Sequence, residues 1–195
     1  PLCLVGSEMC IRDRFFCMSE KKHVQLDLIR RPRRLRQTQY LRDLVEETSL
    51  SPAQLIQPIF ISDQEESKLA IDSMPGMDCL SLGALKEECQ TLIKFGVGGI
   101  ALFPRIHPDL KCDSGREALN PDSLVYRALR ELRASFPELT IIIDIALDPY
   151  TKHGHDGLVE TGSQAPLNDA TVELLVEMAV LAGKAGATMV APSDM

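Results

Sequence analysis

Between Asp144 and Gly157 the chain reads DIALDPYTKHGHDG, placing three carboxylates (Asp144, Asp148, Asp156) and two imidazoles (His153, His155) within fourteen residues. Carboxylates are hard oxygen donors and imidazole is a borderline nitrogen donor, so together they suit a divalent cation; the same groups also suit proton transfer. Asp144 stands inside the apolar run TIIIDIALDP, where an ionised carboxylate is costly unless paired or coordinated. From spacing alone, a solvated polar loop with one satisfied buried Asp fits as well as a metal or acid–base site. The HGH pair decides little, because such pairs are common in ordinary loops.

Those residues must be positioned by the elements around them. Four apolar runs read as strands, at 55–62 (LIQPIFIS), 98–104 (GGIALFP), 140–149 (TIIIDIALDP) and 187–194 (ATMVAPSD). Pro58 counts against the first as a central strand, since a central strand needs every ladder donor. Residues 63–79 are polar and loop-like and end in the turn-rich SMPGM. Leu82, Leu85, Cys89, Leu92 and Ile93 mark one face of a helix that stops at Gly96. Asn120-Pro121 offers an N-cap and a first-turn proline to a helix whose apolar face is Val125, Ala128, Leu129, Leu132 and Phe136. A third helix, capped by Asn168 or Asp169, presents Leu174, Leu175, Met178, Leu181 and Ala182 and is ended by Gly183 and Gly186. Before all of these, Tyr40, Leu41, Leu44 and Val45 recur at helical spacing up to Thr48.

The order is β-α-β-α-β-α-β with apolar, non-alternating strands, which implies a parallel sheet under helices. An open doubly wound sheet and a (β/α)8 barrel both satisfy it. No GxGxxG follows the first strand, which argues against a dinucleotide-binding version. The carboxyl ends of the strands carry Ser62-Asp63, Pro104-Arg105, Asp148-Pro149 and Ser193-Asp194, a polar rim of the kind on which barrels place their chemistry.

Composition sets the outer limits. Of 195 residues 45% are hydrophobic and 25% charged, the profile of a globular domain. Lys and Arg number 21 against 28 Asp and Glu, a net charge of −7 that disfavours generic nucleic-acid binding. No apolar run has the length of a membrane span. Six cysteines without a CxxC pair argue against a disulfide scaffold or a structural zinc site, and the expected setting is cytoplasmic. Residues 1–17, with Pro1 first and the adapter-like VGSEMCIRDR, read as a non-native leader. Residues 18–50 form a basic, then amphipathic arm, with Arg30, Arg31, Arg33, Arg34 and Arg36 clustered around Pro32. Residues 51–195 carry the β/α units, and the ending ATMVAPSDM reads as a truncation.

DIALDPYTKHGHDG resembles the metal-loop signature of the porphobilinogen synthase (5-aminolevulinate dehydratase) family. RRPRRLRQTQYLRDLVEET resembles that family's arm, LIQPIFISD its first strand and SMPGM its recurring turn. GVGGIALFP, LNPDSLVYRALRELR, GSQAPLNDATVELL and GATMVAPSDM follow in the family's order, so the likeness runs from about Arg30 to Met195. It implies a (β/α)8 TIM barrel of which about the first four β/α units are present, and an arm that embraces a neighbouring subunit in a homo-octamer. The implied reaction condenses two 5-aminolevulinate molecules to porphobilinogen with loss of two waters, on the route to haem and chlorophyll; in a photosynthetic eukaryote the setting would be the plastid. The family's two Schiff-base lysines fall beyond Met195, and the lysines at 21, 22, 68, 86, 94, 111, 152 and 184 match neither.

The resemblance also implies site residues. Asp144, Ser193 and Asp194 match catalytic-site positions, and Asp148, Asp156 and His155 form the candidate metal set. Zinc-dependent members hold their metal with three thiolates where this chain has Ala146, Asp148 and Asp156, so Mg²⁺ is expected in place of zinc. Cys79 stands where basic residues are usual in the family. The Arg cluster then reads as part of an oligomerisation arm. Two other readings remain at this stage: another Schiff-base (β/α)8 aldolase, and a catalytically inactive half-barrel that binds partner chains.

Overall fold

The computed structural model describes residues 29, 33–64, 67–155, 157–160 and 165–194. The leader and, of the basic run, Arg30 and Arg31 lie outside the described residues, whereas Arg33, Arg34 and Arg36 lie within them. The chain divides into two compact units, Pro1–Ser49 and Leu50–Met195. In the first, Arg34–Arg36 make a 3-10 turn and α1 spans Gln39–Leu44. Thr38 starts α1 by accepting the Leu41 N–H on its hydroxyl at 3.2 Å. The helix stops four residues short of Thr48, because the acidic pair Glu46-Glu47 is unfavourable at a helix carboxyl end.

The second unit is one six-stranded sheet in the order β2-β3-β1-β4-β5-β6. Its strands are β1 (Ile56–Ser62), β2 (Lys68–Ala70), β3 (Asp78–Leu80), β4 (Gly99–Arg105), β5 (Ile141–Ile145) and β6 (Met189–Pro192). Its long helices are α2 (Leu82–Lys94), α3 (Leu124–Ser135) and α4 (Asn168–Ala185). The four expected strands are thus present as β1, β4, β5 and β6, each paired in parallel with the next. The polar 63–79 segment, expected to be a loop, instead holds the short antiparallel pair β2–β3, with Leu69 opposite Cys79. Three-residue strands are too short to leave a periodic signature. β3 also pairs with β1, but only at Phe60 and Ile61. Pro58 is therefore tolerated: β3 does not extend to it, so its missing N–H removes no bond on that edge.

The core decides between the two architectures. Ile59 and Ile61 of β1, Ile100 and Leu102 of β4, and Ile141, Ile143 and Ile145 of β5 are buried, and they join the buried faces of α2, α3 and α4 in one cluster. Helices therefore cover a single sheet face, whereas a doubly wound sheet carries them on both. The alternate residues, among them Pro58, Phe60, Ala101, Phe103, Ile142 and Asp144, form the other face and are less buried. A parallel sheet in sequential order with helices on one face only is a segment of a β/α barrel wall.

Local signals fix the helix ends, not always where the sequence suggested. Gly96, at φ 72°, ends the segment after α2 as expected. The cap of α3 is Ser123, not Asn120. Asn120 makes a turn first, its side-chain oxygen accepting the Asp122 N–H at 3.0 Å. α4 begins at Asn168 itself, with Leu167 at the cap position. Asn168 and Asp169 thus occupy the first turn, where the Asp169 charge favours the helix dipole without capping it. Gly186, at φ 110°, closes α4. Arg133 of α3 then ties this corner down, donating to the Gly186 carbonyl at 3.0 and 2.7 Å and to the Thr188 hydroxyl at 2.8 Å. That clasp sets the chain as it enters β6.

Candidate active site at the carboxyl ends of the strands

The less buried sheet face carries its residues in layers, because paired residues of neighbouring strands project to the same side. Phe60 pairs with Phe103, Asp144 pairs with Ala191, and one step further Ser62 pairs with Arg105. Ser193 lies two residues beyond Ala191 and faces the same way. The Phe60 and Phe103 rings are in contact, with centroids 5.5 Å apart. Apolar side chains thus floor a site whose polar groups stand at the carboxyl ends.

Within it the Ser193 hydroxyl donates to the Asp144 carboxylate at 2.5 Å. The parallel register that sets Asp144 opposite Ala191 brings these two together across 49 residues of sequence. A half-buried carboxylate held by a hydroxyl is equipped to exchange a proton with a bound molecule. Asp194 takes a different position. It is 9% exposed and accepts the Leu147 N–H at 2.9 Å, fastening the end of β6 to the turn that follows β5. Its contact is thus with the backbone at Leu147, immediately before Asp148.

β5 ends at Ile145, four residues short of the expected strand, and the chain turns at once. The Tyr150 and Thr151 N–H groups both return to the Leu147 carbonyl, at 2.9 and 3.0 Å. Asp148 sits half-buried in that turn. Tyr150 is fully buried beneath it, and its phenol is pushed well above the usual value by burial first, then by Tyr126, Glu117, Asp144 and Asp148. In the following loop His153 and His155 stack at 5.9 Å, and the His155 N–H donates to His153 Nδ1 at 3.2 Å. His155 is exposed, and Asp156 lies outside the described residues. Among the described residues no three His, Cys, Asp or Glu side chains converge as a metal-binding set. Asp148 and His155 are thus not part of such a set among the described residues, although a carboxylate and an imidazole suit a hard or borderline cation.

Arg105 went unsingled in the sequence beyond its place on the rim. The β1–β4 register puts it in the layer of Ser62 and Ser193, and it is exposed there. Two hollows lie elsewhere: one of about 570 Å³ at the opposite strand ends, bordered by Val97, Phe136 and Leu139, and one of about 230 Å³ beside Lys68, Asp78 and Glu88. Neither includes Asp144 or Ser193. Among the described residues no helix is long and apolar enough to cross a membrane.

Fold and site together define a segment of a β/α barrel, with a hydrogen-bonded Asp–Ser pair at the strand carboxyl ends. The family it belongs to is that of delta-aminolevulinic acid dehydratase, whose profile matches residues 29–195. The chain is 44% identical over 170 residues to the dehydratase of Bradyrhizobium diazoefficiens, covering 87% of this chain and 48% of that protein. It is 46% identical over 173 residues to the chloroplastic enzyme of Selaginella martensii, covering 87% of this chain and 40% of the relative. A crystal structure of the Toxoplasma gondii dehydratase (porphobilinogen synthase), in complex with the reaction product porphobilinogen, matches with a TM-score of 0.81 and 40% identity, over 87% of this chain and 48% of that one. The chain thus spans about half the length of these relatives.

Proposed function

We propose that this chain forms the first half of a porphobilinogen synthase, which condenses two molecules of 5-aminolevulinate to porphobilinogen with loss of two waters. The observation that carries the reading is the Asp144–Ser193 pair, hydrogen bonded at 2.5 Å across β5 and β6 on the face where a barrel holds its substrate. It gains weight from the porphobilinogen complex of the Toxoplasma gondii relative.

The condensation joins carbon to carbon and carbon to nitrogen, so protons must leave a carbon beside a ketone and reach departing water. A Schiff base between a lysine and the ketone makes that carbon acidic. No strand residue among β1, β4, β5 and β6 is a lysine, so this half contributes the acid–base and binding groups while the amine comes from elsewhere. Asp144 moves the proton, the Ser193 hydroxyl fixes its carboxylate, and Asp194 holds the turn from which Asp148 projects. Asp148, Asp156 and His155 offer oxygen and imidazole donors to Mg²⁺, which would supply positive charge beside the loop.

The arm of residues 18–50 is read as an oligomerisation element, with a homo-octamer as the assembly. Removing residues 18–48 from the complete protein should lower the particle mass seen by light scattering. The setting is cytoplasmic, or plastid if the source is photosynthetic, as the chloroplastic label of the Selaginella martensii relative suggests.

The functional test is to express the complete coding sequence, supply 5-aminolevulinate and Mg²⁺, and measure porphobilinogen. Product formation, with a borohydride-trapped lysine adduct, is the expected result. A folded complete protein that binds 5-aminolevulinate and releases no porphobilinogen would overturn the reading in favour of another Schiff-base aldolase or an inactive binding protein.

A further inference from the structure

The contact between Ser193 and Asp144 depends on a strand register that burial does not choose. β6 lies at the edge of the described sheet and pairs with β5, through Ile142–Met189, Ile143–Val190, Asp144–Ala191 and Ile145–Pro192. All four β6 residues are exposed in this unit, so neither face of the strand is buried. A buried face ordinarily selects the register, because a slip of one residue turns every side chain to the opposite side. In β6 that selection is missing, and a slip of one would take Ser193 off the face of Asp144. Pro192 also brings no N–H to the pairing. Another contact has to hold the strand in step.

The amino ends of the two strands supply it. Arg133 donates from Nε and Nη2 to the Gly186 carbonyl at 3.0 and 2.7 Å, and from Nη2 to the Thr188 hydroxyl at 2.8 Å. Its Nη1 donates to the carbonyls of Pro137 and Leu139 at 2.5 and 3.1 Å. Pro137 and Leu139 lead into β5, and Gly186 and Thr188 lead into β6, so one guanidinium grips both segments as they enter the pair. None of these acceptors is a carboxylate; the planar fork serves geometry, not charge pairing. Thr188 passes the grip into the ladder. Its N–H donates to the Ile141 carbonyl at 2.9 Å, and its hydroxyl accepts the Ile141 N–H at 3.1 Å. Gly186 lets the arginine in this close, since a Cβ there would lie 3.2 Å from Arg133 Cβ and Cγ.

We propose that Arg133 is a positioning residue for the reaction: by locking Thr188 to Ile141 it fixes the β5–β6 register, and that register places the Ser193 hydroxyl on Asp144. It touches neither of them. Thr188 lies five residues before Ser193, roughly 16 Å along an extended strand. The carboxyl end has a tie of its own, Asp194 to the Leu147 N–H at 2.9 Å, so loss of Arg133 loosens β6 without freeing it. The proposal rests on the reading of Asp144 and Ser193 as the working pair of the site.

A double-mutant cycle in the complete enzyme tests it. Arg133→Met keeps a long side chain and removes the fork. It should lower kcat for porphobilinogen formation about tenfold, as loss of one orienting hydrogen bond does, with KM for 5-aminolevulinate little changed. Because the effect passes through Ser193, Arg133→Met should cost nothing further in a Ser193→Ala background, where that bond is already gone. A general loss of structure would multiply with it instead, to about a hundredfold in the double variant. Thr188→Val has nearly the same shape, removes the hydroxyl alone and should behave in the same way; it carries the test if Arg133→Met does not fold. A crystal structure of either variant should show Ser193 parted from Asp144. Multiplying losses, an unchanged kcat in a folded variant, or a structure with the pair intact would overturn the proposal. If Ser193 parts from Asp144 in the variant but the wild-type protein makes no porphobilinogen, the positioning role stands and the reaction assignment falls.

Discussion

At the scale of single residues the site divides its work among side chains with different surroundings. Asp144 is half-buried and accepts from the Ser193 hydroxyl, so an Asn in its place keeps the shape but loses the ionisable carboxylate. In the complete enzyme Asp144→Asn should reduce kcat by about 10²–10⁴-fold, the usual contribution of a positioned acid–base group. Ser193→Ala should cost roughly tenfold, because it loses the orienting bond alone; thermal melts should show both variants folded, and wild-type activity in Asp144→Asn would remove Asp144 from the mechanism. Metal use follows from donor type. With Asp at 148 and 156 instead of thiolates, activity should survive exhaustive removal of zinc and rise with added Mg²⁺; activity restored by zinc alone would contradict this. The thiols give a pH prediction. Cys112 is lowered to about 7, first by its hydrogen bond with Ser114 and also by the Arg116 N–H at 3.4 Å. Cys89 is pushed up to about 12, by burial and then by Glu88. The thiolate is the reactive form, so alkylation of Cys112 should rise through about pH 7 and level off above it. Cys89 should stay unlabelled until the protein unfolds. Mass-spectrometric labelling from pH 5 to 9 distinguishes them; equal rates at all pH values would refute the assignment.

At the scale of elements, close approach of backbone segments sets the joints. A Cβ on Gly98 would lie 2.1 Å from the Ala53 carbonyl oxygen, closer than atoms can pack. Gly98→Ala should therefore destabilise the protein by about 2–4 kcal/mol, since β4 must shift relative to the turn before β1. Chemical denaturation of the complete protein measures it, and a loss below 1 kcal/mol would show that the joint yields. These joints also explain what could be read in advance. β1, β4, β5 and β6, and the apolar faces of α2 to α4, were legible because β-branched runs and 3.6-residue spacing are strong signals over such lengths. The β2–β3 pair was not, since Leu69 and Cys79 are the only apolar residues meeting across it. Asn120 and Asn168 misled for a shared reason: the residue types that cap helices also make turns and occupy first turns. In the site, Asp144 and Ser193 were nameable from the family resemblance, but their contact depends on the β5–β6 register, which no local pattern states. Arg105 joins the layer of Ser62 only through the pairing of β4 with β1.

At the scale of the whole unit, one sheet face is covered by helices and the other is open. β6 forms one edge, with Met189 and Val190 at 49% and 40% exposure. Val172, Val176 and Val180 of α4, one helical turn apart, are 46%, 56% and 51% exposed. Each large apolar side chain left in water forgoes about 1.5–3 kcal/mol, and a domain's net stability is only about 5–15 kcal/mol. Expressed alone, residues 18–195 should therefore show no sharp unfolding transition as a monomer, and no lysine adduct with 5-aminolevulinate and borohydride. A cooperative melt, or a trapped adduct on one lysine, would refute this. The order of the strands has a further consequence for how the molecule is made. β1, β4, β5 and β6 lie side by side in the sequence in which a ribosome releases them, and β4, β5 and β6 each pair with a strand already synthesised. Only β1 and β2 wait for later strands, β3 and β4; from β3 onward every strand can begin to pair as it emerges. Translation can thus lay the wall down course by course, with the Arg133 clasp setting each new edge of α4 and β6 as it emerges. The growing edge is a place where a nascent chain stays adhesive, with Met189 and Val190 of β6 adding apolar surface to its unpaired backbone groups.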